Sequence, residues 1–588
     1  MKIQTTPNYV RRDLAFGAKE TNSAIIYAND THGSMGTLPN MISGIINVQK
    51  ELSKKSPLTF SAGDELVYAN TLNASLENCR RQLLVGFFNM MNFDAITIGN
   101  HELNSGLKPL AELMEKAKFK FVSTNTKYEN TPLTQLNKSD AIVKSMVIKN
   151  KDGEKYGILG LSPIDEGSSE IFGNVGDFIA GIPIDYNGPE DEIAKRIDAR
   201  YEKTLNVLSE EIAKLDAKGI NKIVLLSHLG YVRDKQIVKD PRINGVDIII
   251  GGHSHDILRG FVGENDSNGK LSNVFKTPEG KPIVVVQAGS NANNFGVLDV
   301  FFDKSGVLQT DKQGEICGSN TIFNSEDFNV TPSISKHIDN ILQKTFKDTP
   351  KIGIVKKPII PITTRTRENM LLTATLDGFL ELANKKGTDD IKKLDFAMIN
   401  SSTVRASIPK GDLNEGLLSL VFAFAAPMSK VEASERQIVD TINAVLENGN
   451  LKGKYDIPQF SSNIQYEMIE NVDCKGKKQL KLSKLSINGN EVDINSPSEC
   501  KTYKAAVRDI FSDTKYFGDS FNSPAGEQVQ RCCSYDGKPL DYLEGLADYL
   551  RNHCVNPKTK EITFDTEPKN ITVMSSNVSF SGRKSLIA

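Results

Sequence analysis

Five strand-like runs in this chain each end on side chains that bind metal ions. Ile25-Ile26-Tyr27-Ala28 leads into Asn29-Asp30-Thr31-His32-Gly33, and Phe60-Ser61-Ala62-Gly63 into Asp64. Ala95-Ile96-Thr97-Ile98-Gly99 leads into Asn100-His101-Glu102, and Ile223-Val224-Leu225-Leu226-Ser227 into His228. Val246-Asp247-Ile248-Ile249-Ile250-Gly251-Gly252 leads into His253-Ser254-His255. Residues i and i+2 of a strand point the same way, so Asp30 and His32 converge at one strand end. The chain has seven histidines in 588 residues, and only His337 and His553 lie outside these runs. Scattered surface histidines would not collect in this way. A sheet that takes ligands outside the carboxyl ends of its strands is the architecture that brings such endings together.

The rest of the N-terminal half agrees with that architecture. Apolar spacings of three and four predict helices over 38–52, 72–91, 106–118 and 190–218. Strand runs alternating with helices give β-α-β-α order, which argues for helices stacked around sheets of parallel or mixed strands. The glycine-rich stretch up to Gly188 reads as a surface insertion. Residues 283–303 read as two closing strands. A helix over 331–346, entered at Thr331-Pro332 and followed by Thr349-Pro350, marks a domain boundary. The expected organisation is a polar extension over 1–22, a first domain over 23–334, a linker helix or hinge over 335–356, and a second domain over 357–588. In the second domain helices are expected over 371–385 and 434–448, and a strand over 395–400.

Composition limits the function classes. With 71 basic against 73 acidic residues there is no strongly basic stripe, which argues against a nucleic-acid polymer as partner. No run of about 18 apolar residues exists, so no membrane span is expected. Residues 1–20 contain Arg11, Arg12, Asp13, Lys19 and Glu20 and no apolar core, unlike a Sec leader. The expectation is a cytoplasmic protein or one exported by another route, and a periplasmic or extracellular one where a leader has been removed. The seven cysteines form no CxxC, which argues against a zinc knuckle. They leave two readings, reduced thiols or a disulfide such as Cys474–Cys500.

Asp30, His32, Asp64, Asn100, His228, His253 and His255 are the candidate ligands. That is too many for one catalytic zinc, which takes three protein ligands and water. It suits two divalent cations sharing one carboxylate, with Asp64 the natural bridge. Oxygen and imidazole ligands fit Mn, Zn, Mg or Fe. A pair of such ions lowers the pKa of a shared water and clamps an in-line displacement at phosphorus. Asn100 is an unusual ligand, because an amide oxygen is weaker than a carboxylate. His101, next in the chain, would face the open side of the site and donate to a phosphoryl oxygen or a leaving group.

Together these motifs resemble the calcineurin-like metallophosphoesterases. The N-D-x-H-G opening and G-H-S-H ending resemble the branch of 5′-nucleotidases and UDP-sugar hydrolases. The resemblance covers about residues 23–300. It implies an α/β (α+β) fold: a four-layer α/β/β/α metallophosphoesterase domain followed by an α/β substrate-binding domain of the 5′-nucleotidase type. It implies one metal on Asp30, His32, Asp64 and His255, and a second on Asp64, Asn100, His228 and His253. The second domain is similar more loosely. Arg365-Thr366-Arg367-Glu368 with Asp377, Asn400-Ser401-Ser402-Thr403-Val404-Arg405, and Gly518-Asp519-Ser520-Phe521 stand where that family has its substrate motifs. By resemblance Arg405 contacts substrate, Phe521 stacks on the base, and a second ring comes from Phe422–Phe424, with Phe424 preferred. The chain departs from the pattern at Asn104, where the family has an aspartate pairing with the catalytic histidine. It departs again at Ser402 and Thr403, where two glycines are usual.

The expected function is release of phosphate from nucleoside 5′-monophosphates by a metal-activated hydroxide, with His101 as the catalytic side chain. The alternatives are a phosphodiesterase or pyrophosphatase acting on cyclic nucleotides or nucleotide sugars, and a nucleotide-binding protein with weakened turnover.

Overall fold

A computed structural model describes residues 21–65, 74–103, 106–136, 140–165, 176–184, 189–264, 271–359, 365–404, 407–408, 410–422, 427–452, 455–472, 478–508 and 530–575. The chain divides into two compact units. The first comprises Met1–Gly33, Asn40–Val67 and Val85–Thr331, the second Ser34–Pro39, Tyr68–Leu84 and Pro332–Ala588.

The first unit holds two sheets. One is seven-stranded, with spatial order β13 (Gly318–Asn324), β12 (Asn294–Phe302), β1 (Thr21–Ala28), β2 (Leu58–Ser61), β3 (Ala95–Ile96), β4 (Lys120–Val122) and β5 (Ile142–Val143). Strands β1 to β5 run parallel, while β12 lies antiparallel to both β1 and β13. The other is six-stranded, with order β10 (Val274–Lys276), β11 (Pro282–Val286), β9 (Ile248–Gly251), β8 (Ile223–Ser227), β7 (Lys155–Leu161) and β6 (Ser145–Lys149). Its β7, β8, β9 and β11 are parallel.

Every residue of β8 and β9 is buried. A parallel strand covered on both faces reads as an unbroken apolar run, which is why the IVLLS and IIIG segments show no alternation. Their alternate side chains serve two cores. Val224, Leu226, Ile248 and Ile250 join Ile25, Tyr27, Phe60 and Val122 between the sheets. Ile223, Leu225 and Ile249 instead pack with Leu205, Leu208, Ile212 and Leu215 of a long helix, α4 (Glu190–Asp216). On the other sheet, Gly44 of α1 (Leu38–Glu51) abuts the Phe295 ring of β12. Helices α3 (Leu107–Lys116) and α5 (Tyr231–Val238) complete the mixed α/β arrangement, and α2 (Ala74–Met90) runs from residues of the second unit into the first at Val85.

The two sheets approach each other where β7 passes β4, each one strand in from its sheet's edge. A Cβ on Gly160 would lie 2.6 Å from the Val122 carbonyl carbon, so only glycine allows that approach. Thr124 N donates to Gly160 O at 2.7 Å across this seam. The strand over 282–286 and the strand over 294–302 do not close one sheet. They belong to different sheets, because β11 pairs with β9 and β12 with β1. The end of the glycine-rich stretch is not a surface insertion either: Phe178 and Ile179 are buried, and Ile179 bridges to Thr126.

The second unit begins with α6 (Pro332–Phe346). Residues after it enter a three-stranded sheet of order β16 (Gly411–Asn414), β14 (Lys351–Val355) and β24 (Glu561–Ile562). A five-stranded sheet has order β18 (Pro458–Phe460), β15 (Phe396–Asn400), β22 (Thr502–Arg508), β17 (Met428–Ser434) and β23 (Gln530–Arg531). A four-stranded sheet has order β21 (Asn490–Glu491), β20 (Lys478–Ile487), β19 (Ile464–Val472) and β25 (Ile571–Ser575). Helices α7 (Met370–Lys386), α8 (Glu415–Ser419), α9 (Glu435–Lys452) and α10 (Tyr542–Tyr549) pack with them. Helix α7 starts with Asn369, whose side chain accepts from Leu371 N, and crosses α10 where Gly378 meets Gly545.

Glu368 anchors this unit. Its carboxylate is fully buried and accepts from the backbone nitrogens of Lys569, Asn570 and Ile571, from Asn570 Nδ2 and from Thr373 Oγ1. It thus ties the entry to β25 to the start of α7. Among the described residues, no helix is long and apolar enough to cross a membrane.

Candidate metal centre

The seven candidate ligands stand at the carboxyl ends of β1, β2, β3, β8 and β9. The first three strands are parallel neighbours in one sheet, and the last two are parallel neighbours in the other. Two clusters form. In one, ligand atoms of Asp30, His32 and His255 lie within 4.8 Å of one another; in the other, those of Asp64, His228 and His253 do. A third grouping of the same kind, His32, Asp64 and His101, overlaps both. Asn100 Oδ1 sits 3.2 Å from His228 Nε2 and 3.0 Å from His253 Nδ1, which places the amide oxygen in the second cluster.

The backbone is held in rare conformations here. Asp30, His32, Asp64, His253 and His255 all have positive φ, between 50° and 71°. Non-glycine residues rarely adopt this region, and such strain persists only where surrounding contacts impose it. Those contacts are hydrogen bonds from the turns themselves. Asp30 N donates to Gly63 O and His32 N to Asp64 O, each at 2.9 Å. Gly63 and Gly252 lack side chains where His228 passes. A Cβ on either would lie about 3 Å from His228 Nδ1, at 3.1 and 2.9 Å respectively.

Each imidazole is oriented by a neighbour. His228 Nδ1 lies 2.6 Å from Ala62 O, so this nitrogen carries the proton and donates, leaving Nε2 free to face Asp64 Oδ2 at 3.1 Å. A carbonyl behind a ring nitrogen is how proteins fix a ligating histidine's tautomer. His32 Nε2 and His255 Nε2 point at one another across 3.0 Å, and His255 Nε2 lies 3.4 Å from Asp30 Oδ1. Asp30 is steadied by His253 N and by Asn29 Nδ2, which donates at 2.7 Å.

Glu102 was not read as a site residue, yet it gathers the loops that carry Asp64 and Asn100. It is fully buried and accepts from Asp64 N, Glu65 N and Gly99 N at 2.7–2.9 Å. Its signal in the sequence was its place three residues after Gly99, where a carboxylate can reach back to free backbone N–H groups. Glu65 is likewise buried, accepting from the Thr31 and Ser61 hydroxyls. Burial, resisted by those two bonds, pushes its carboxyl up to about 8.

The electrostatics fit a cation. Among the described residues, no Lys or Arg pairs with Asp30 or Asp64. Burial works against a charge on His228, but the carboxylates of Asp64 and Asp30 outweigh it and push its pKa up to about 10. Burial also opposes ionised Asp64, yet His228 and His101 hold its carboxyl well below the usual range. Burial pulls His32 down to about 4 against the attraction of Asp64, and it lowers His253 as well. Hydrogen bonding to Asp30 raises His255 against burial. Two buried carboxylates that draw a proton onto His228, with three more imidazoles beside them, form a donor set in which a hard-to-borderline divalent ion would take that proton's place. His32 Nδ1 is buried without a hydrogen-bond partner among the described residues.

His101 stands at the margin. Its backbone N–H donates to Asp64 Oδ1 at 2.8 Å, its ring lies edge-on to His32 at 5.0 Å between centroids, and Nε2 is 3.9 Å from Asp64 Oδ2. The side chain is 19% exposed, where those of His228 and Asp64 are 0% and 2%. Of the expected substrate contacts, Arg405, Phe424 and Phe521 lie outside the described residues, as does Asn104. Phe422 is not available for stacking on a ligand: it is buried in the second unit's core against Tyr542. Cys500 is an exposed free thiol, and Cys474 lies outside the described residues.

Residues 24–256, which lie largely in the first unit, match the calcineurin-like phosphoesterase family model. The relatives and structural neighbours include proteins named as 5′-nucleotidases and nucleotide phosphoesterases. The chain is 25% identical over 516 residues to the trifunctional nucleotide phosphoesterase protein of Bacillus subtilis, covering 83% of this chain and 31% of that one. It is 22% identical over 602 residues to a probable 5′-nucleotidase of Treponema pallidum, covering 92% and 94%. Its fold is similar to that of the 5′-nucleotidase precursor of Thermus thermophilus, with a TM-score of 0.55 at 24% identity, covering 94% of this chain and 99% of that one. The chain spans less than half the length of the first three curated relatives it matches, at 31%, 42% and 44%.

Proposed function

We propose that the chain is a phosphohydrolase that uses two divalent metal ions to release phosphate from nucleoside 5′-monophosphates. The observation that carries this reading is the convergence of Asp30, His32 and His255 in one cluster and Asp64, His228 and His253 in the next, with Asn100 beside the latter. One ion would be held by Asp30, His32, Asp64 and His255, the other by Asp64, Asn100, His228 and His253. Bound there, Mn, Zn, Mg or Fe would lower the pKa of a water and neutralise phosphoryl oxygens. The nucleotide part of the proposal is supported by the printed names of the relatives.

The chain's own residues supply orientation and proton transfer. Ala62 O holds a proton on Nδ1 of His228, so Nε2 is the nitrogen left for a metal ion, which would take the place of a proton there. Glu102 fixes the backbone on both sides of Asp64 and Gly99, so the central carboxylate is held without reorganising. His101, which stands outside the proposed ligand set and is 19% exposed, is the side chain proposed to touch substrate. Its ring would donate a hydrogen bond to the phosphoryl group as charge develops, or a proton to the leaving oxygen. Arg405, Phe424 and Phe521 are proposed as substrate contacts on the strength of the motif resemblance.

The test is phosphate release from 5′-AMP with added Mn, before and after a chelator, in wild type and His228→Ala. Chelator-sensitive release that the variant abolishes is the expected result. Metal-loaded protein that releases nothing from 5′-AMP would sink the nucleotidase reading. Because one relative is named a trifunctional nucleotide phosphoesterase, the same assay includes 2′,3′-cyclic AMP and a nucleotide sugar.

A further inference from the structure

A cavity of about 170 Å³ opens at the seam between the two sheets of the first unit, at the carboxyl ends of β4 and β7. None of the proposed metal ligands lines it. Its floor comes from Thr124, Asn125 and Thr126 after β4, and one wall from Thr204 and Val207 of α4.

Most polar atoms of the floor are already engaged. Asn125 Oδ1 accepts from Ser162 N, while Nδ2 donates to Ser162 O and to Thr204 Oγ1. Thr124 Oγ1 donates to Lys144 O and accepts from Gly160 N. Thr126 Oγ1 donates to Ser123 O. With these groups engaged, what the interior offers an occupant is contact with Ala180, Val207 and the threonine methyls. An apolar body suits it, and a group that needs buried hydrogen bonds does not.

The mouth is cationic. Lys127, Lys144 and Lys203 line it together with one carboxylate, Glu129. Lys144 pairs with Glu129 at 3.4 Å, and Lys127 pairs with Asp177 at 2.5 Å. The four side chains in those pairs are 37–55% exposed, so the pairs are weak and open to exchange. Lys203 has no hydrogen bond or ion pair within 4 Å among the described residues, and its charge acts on Asp177 from further off. Its Nζ hangs over the turn at Gly181, whose φ is +66°. A Cβ there would lie 3.2 Å from Lys203 Nζ and 3.6 Å from Lys127 Cδ. Bare backbone at 181 therefore keeps the mouth clear between the two ammonium groups.

We propose that this cavity is a binding site for a small organic monoanion, with a compact apolar body against Val207 and Ala180 and a carboxylate at Lys203. The site is separate from the phosphohydrolase centre and does not depend on its assignment. Three ammonium groups against two carboxylates leave a surplus of one positive charge at the mouth, which draws an anion and orients it head outward.

The probe is butyrate, titrated calorimetrically into the full chain, with butyramide as the uncharged isostere and inorganic phosphate as the anion without an apolar body. Butyrate is expected to bind at least tenfold more tightly than either. Lys203→Met should weaken butyrate at least tenfold and leave butyramide unchanged. Val207→Phe fills the cavity while keeping every charge, and should abolish binding of both. Lys203 is exposed, so its variant folds whatever the fate of the Val207 variant. Three results would each overturn the proposal: no butyrate binding, phosphate binding as tight as butyrate, or butyrate affinity unchanged in Lys203→Met. The last would show that Lys203 does not hold the carboxylate.

Discussion

Gly99 and Asp64 stand so close that Gly99 has room for no side chain: a Cβ there would lie 2.6 Å from Asp64 N and 2.9 Å from Asp64 Cγ. The loop after β3 therefore presses directly on the carboxylate proposed to bridge two metals. Gly99→Ala must push Asp64 aside. It should lower kcat/KM on 5′-AMP by about 100-fold or more, near 2.7 kcal/mol of transition-state stabilisation. Bound metal per chain should fall with it, measured by elemental analysis. A variant with full metal content and wild-type turnover would show that Asp64 tolerates the shift.

His101 is a different kind of residue, because it can touch substrate without being needed to hold the ions. His101→Ala should keep both metals and lower kcat by about 10²–10³, the usual loss for one transition-state hydrogen-bond donor. KM should change little. Loss of metal in this variant would instead make His101 a ligand, a role its grouping with His32 and Asp64 allows.

Stability should depend on pH through Asp247, which lies before β9. Its carboxylate is buried and accepts from Ile223 N at 2.8 Å. Burial pushes the carboxyl well above its ordinary range, against the pull of that N–H, Lys281 and Lys222. The folded chain thus holds this proton at pH values where the unfolded chain, with a pKa near 3.9, has released it. The contribution of Asp247 is full below that unfolded value and is lost as pH rises through the folded one, by at most about 1.4 kcal/mol per pH unit. Asp247→Asn keeps an acceptor for Ile223 N and removes the proton. Urea midpoints from pH 4 upward should therefore fall less steeply in the variant than in wild type. Parallel curves would refute this account.

Glu368 predicts a stability effect confined to the second unit. Gln at this position keeps one oxygen and turns an NH₂ group toward donors that now meet a carboxylate. Glu368→Gln should cost about 3 kcal/mol or more. It should be seen as an earlier unfolding step in denaturant, with metal content of the folded protein unchanged. A midpoint equal to wild type would mean that the loop at 569–571 is held by other contacts.

The local pattern of the chain was enough to pick out the side chains that converge in the candidate site, because a strand's two-residue period and its end are properties of a few neighbouring residues. Asp30, His32, Asp64, Asn100, His228, His253 and His255 were legible for that reason, and so were most helices, whose apolar spacing is equally local. The overlap of His101 with the ligand clusters was not legible, since sequence spacing says nothing of the 3.9 Å between its Nε2 and Asp64. Nor was the role of Glu102, whose acceptors only become useful once two loops 38 residues apart are stacked. Phe422 shows the same limit in reverse, an aromatic side chain near a family motif that the core of its unit claims.

What the sequence alone determined is therefore the candidate chemistry: which side chains could hold a metal, and that they sit at strand ends. Tertiary structure decided which strands are neighbours, joining β11 to β9 and β12 to β1. It also decided which nitrogen of His228 faces the site, through a carbonyl 166 residues away in the chain. The physical reason is range. Strand alternation and turn chemistry are fixed by adjacent residues, whereas sheet pairing, tautomer and the positive φ of five ligand residues are imposed by hydrogen bonds between segments that meet only when the chain is folded.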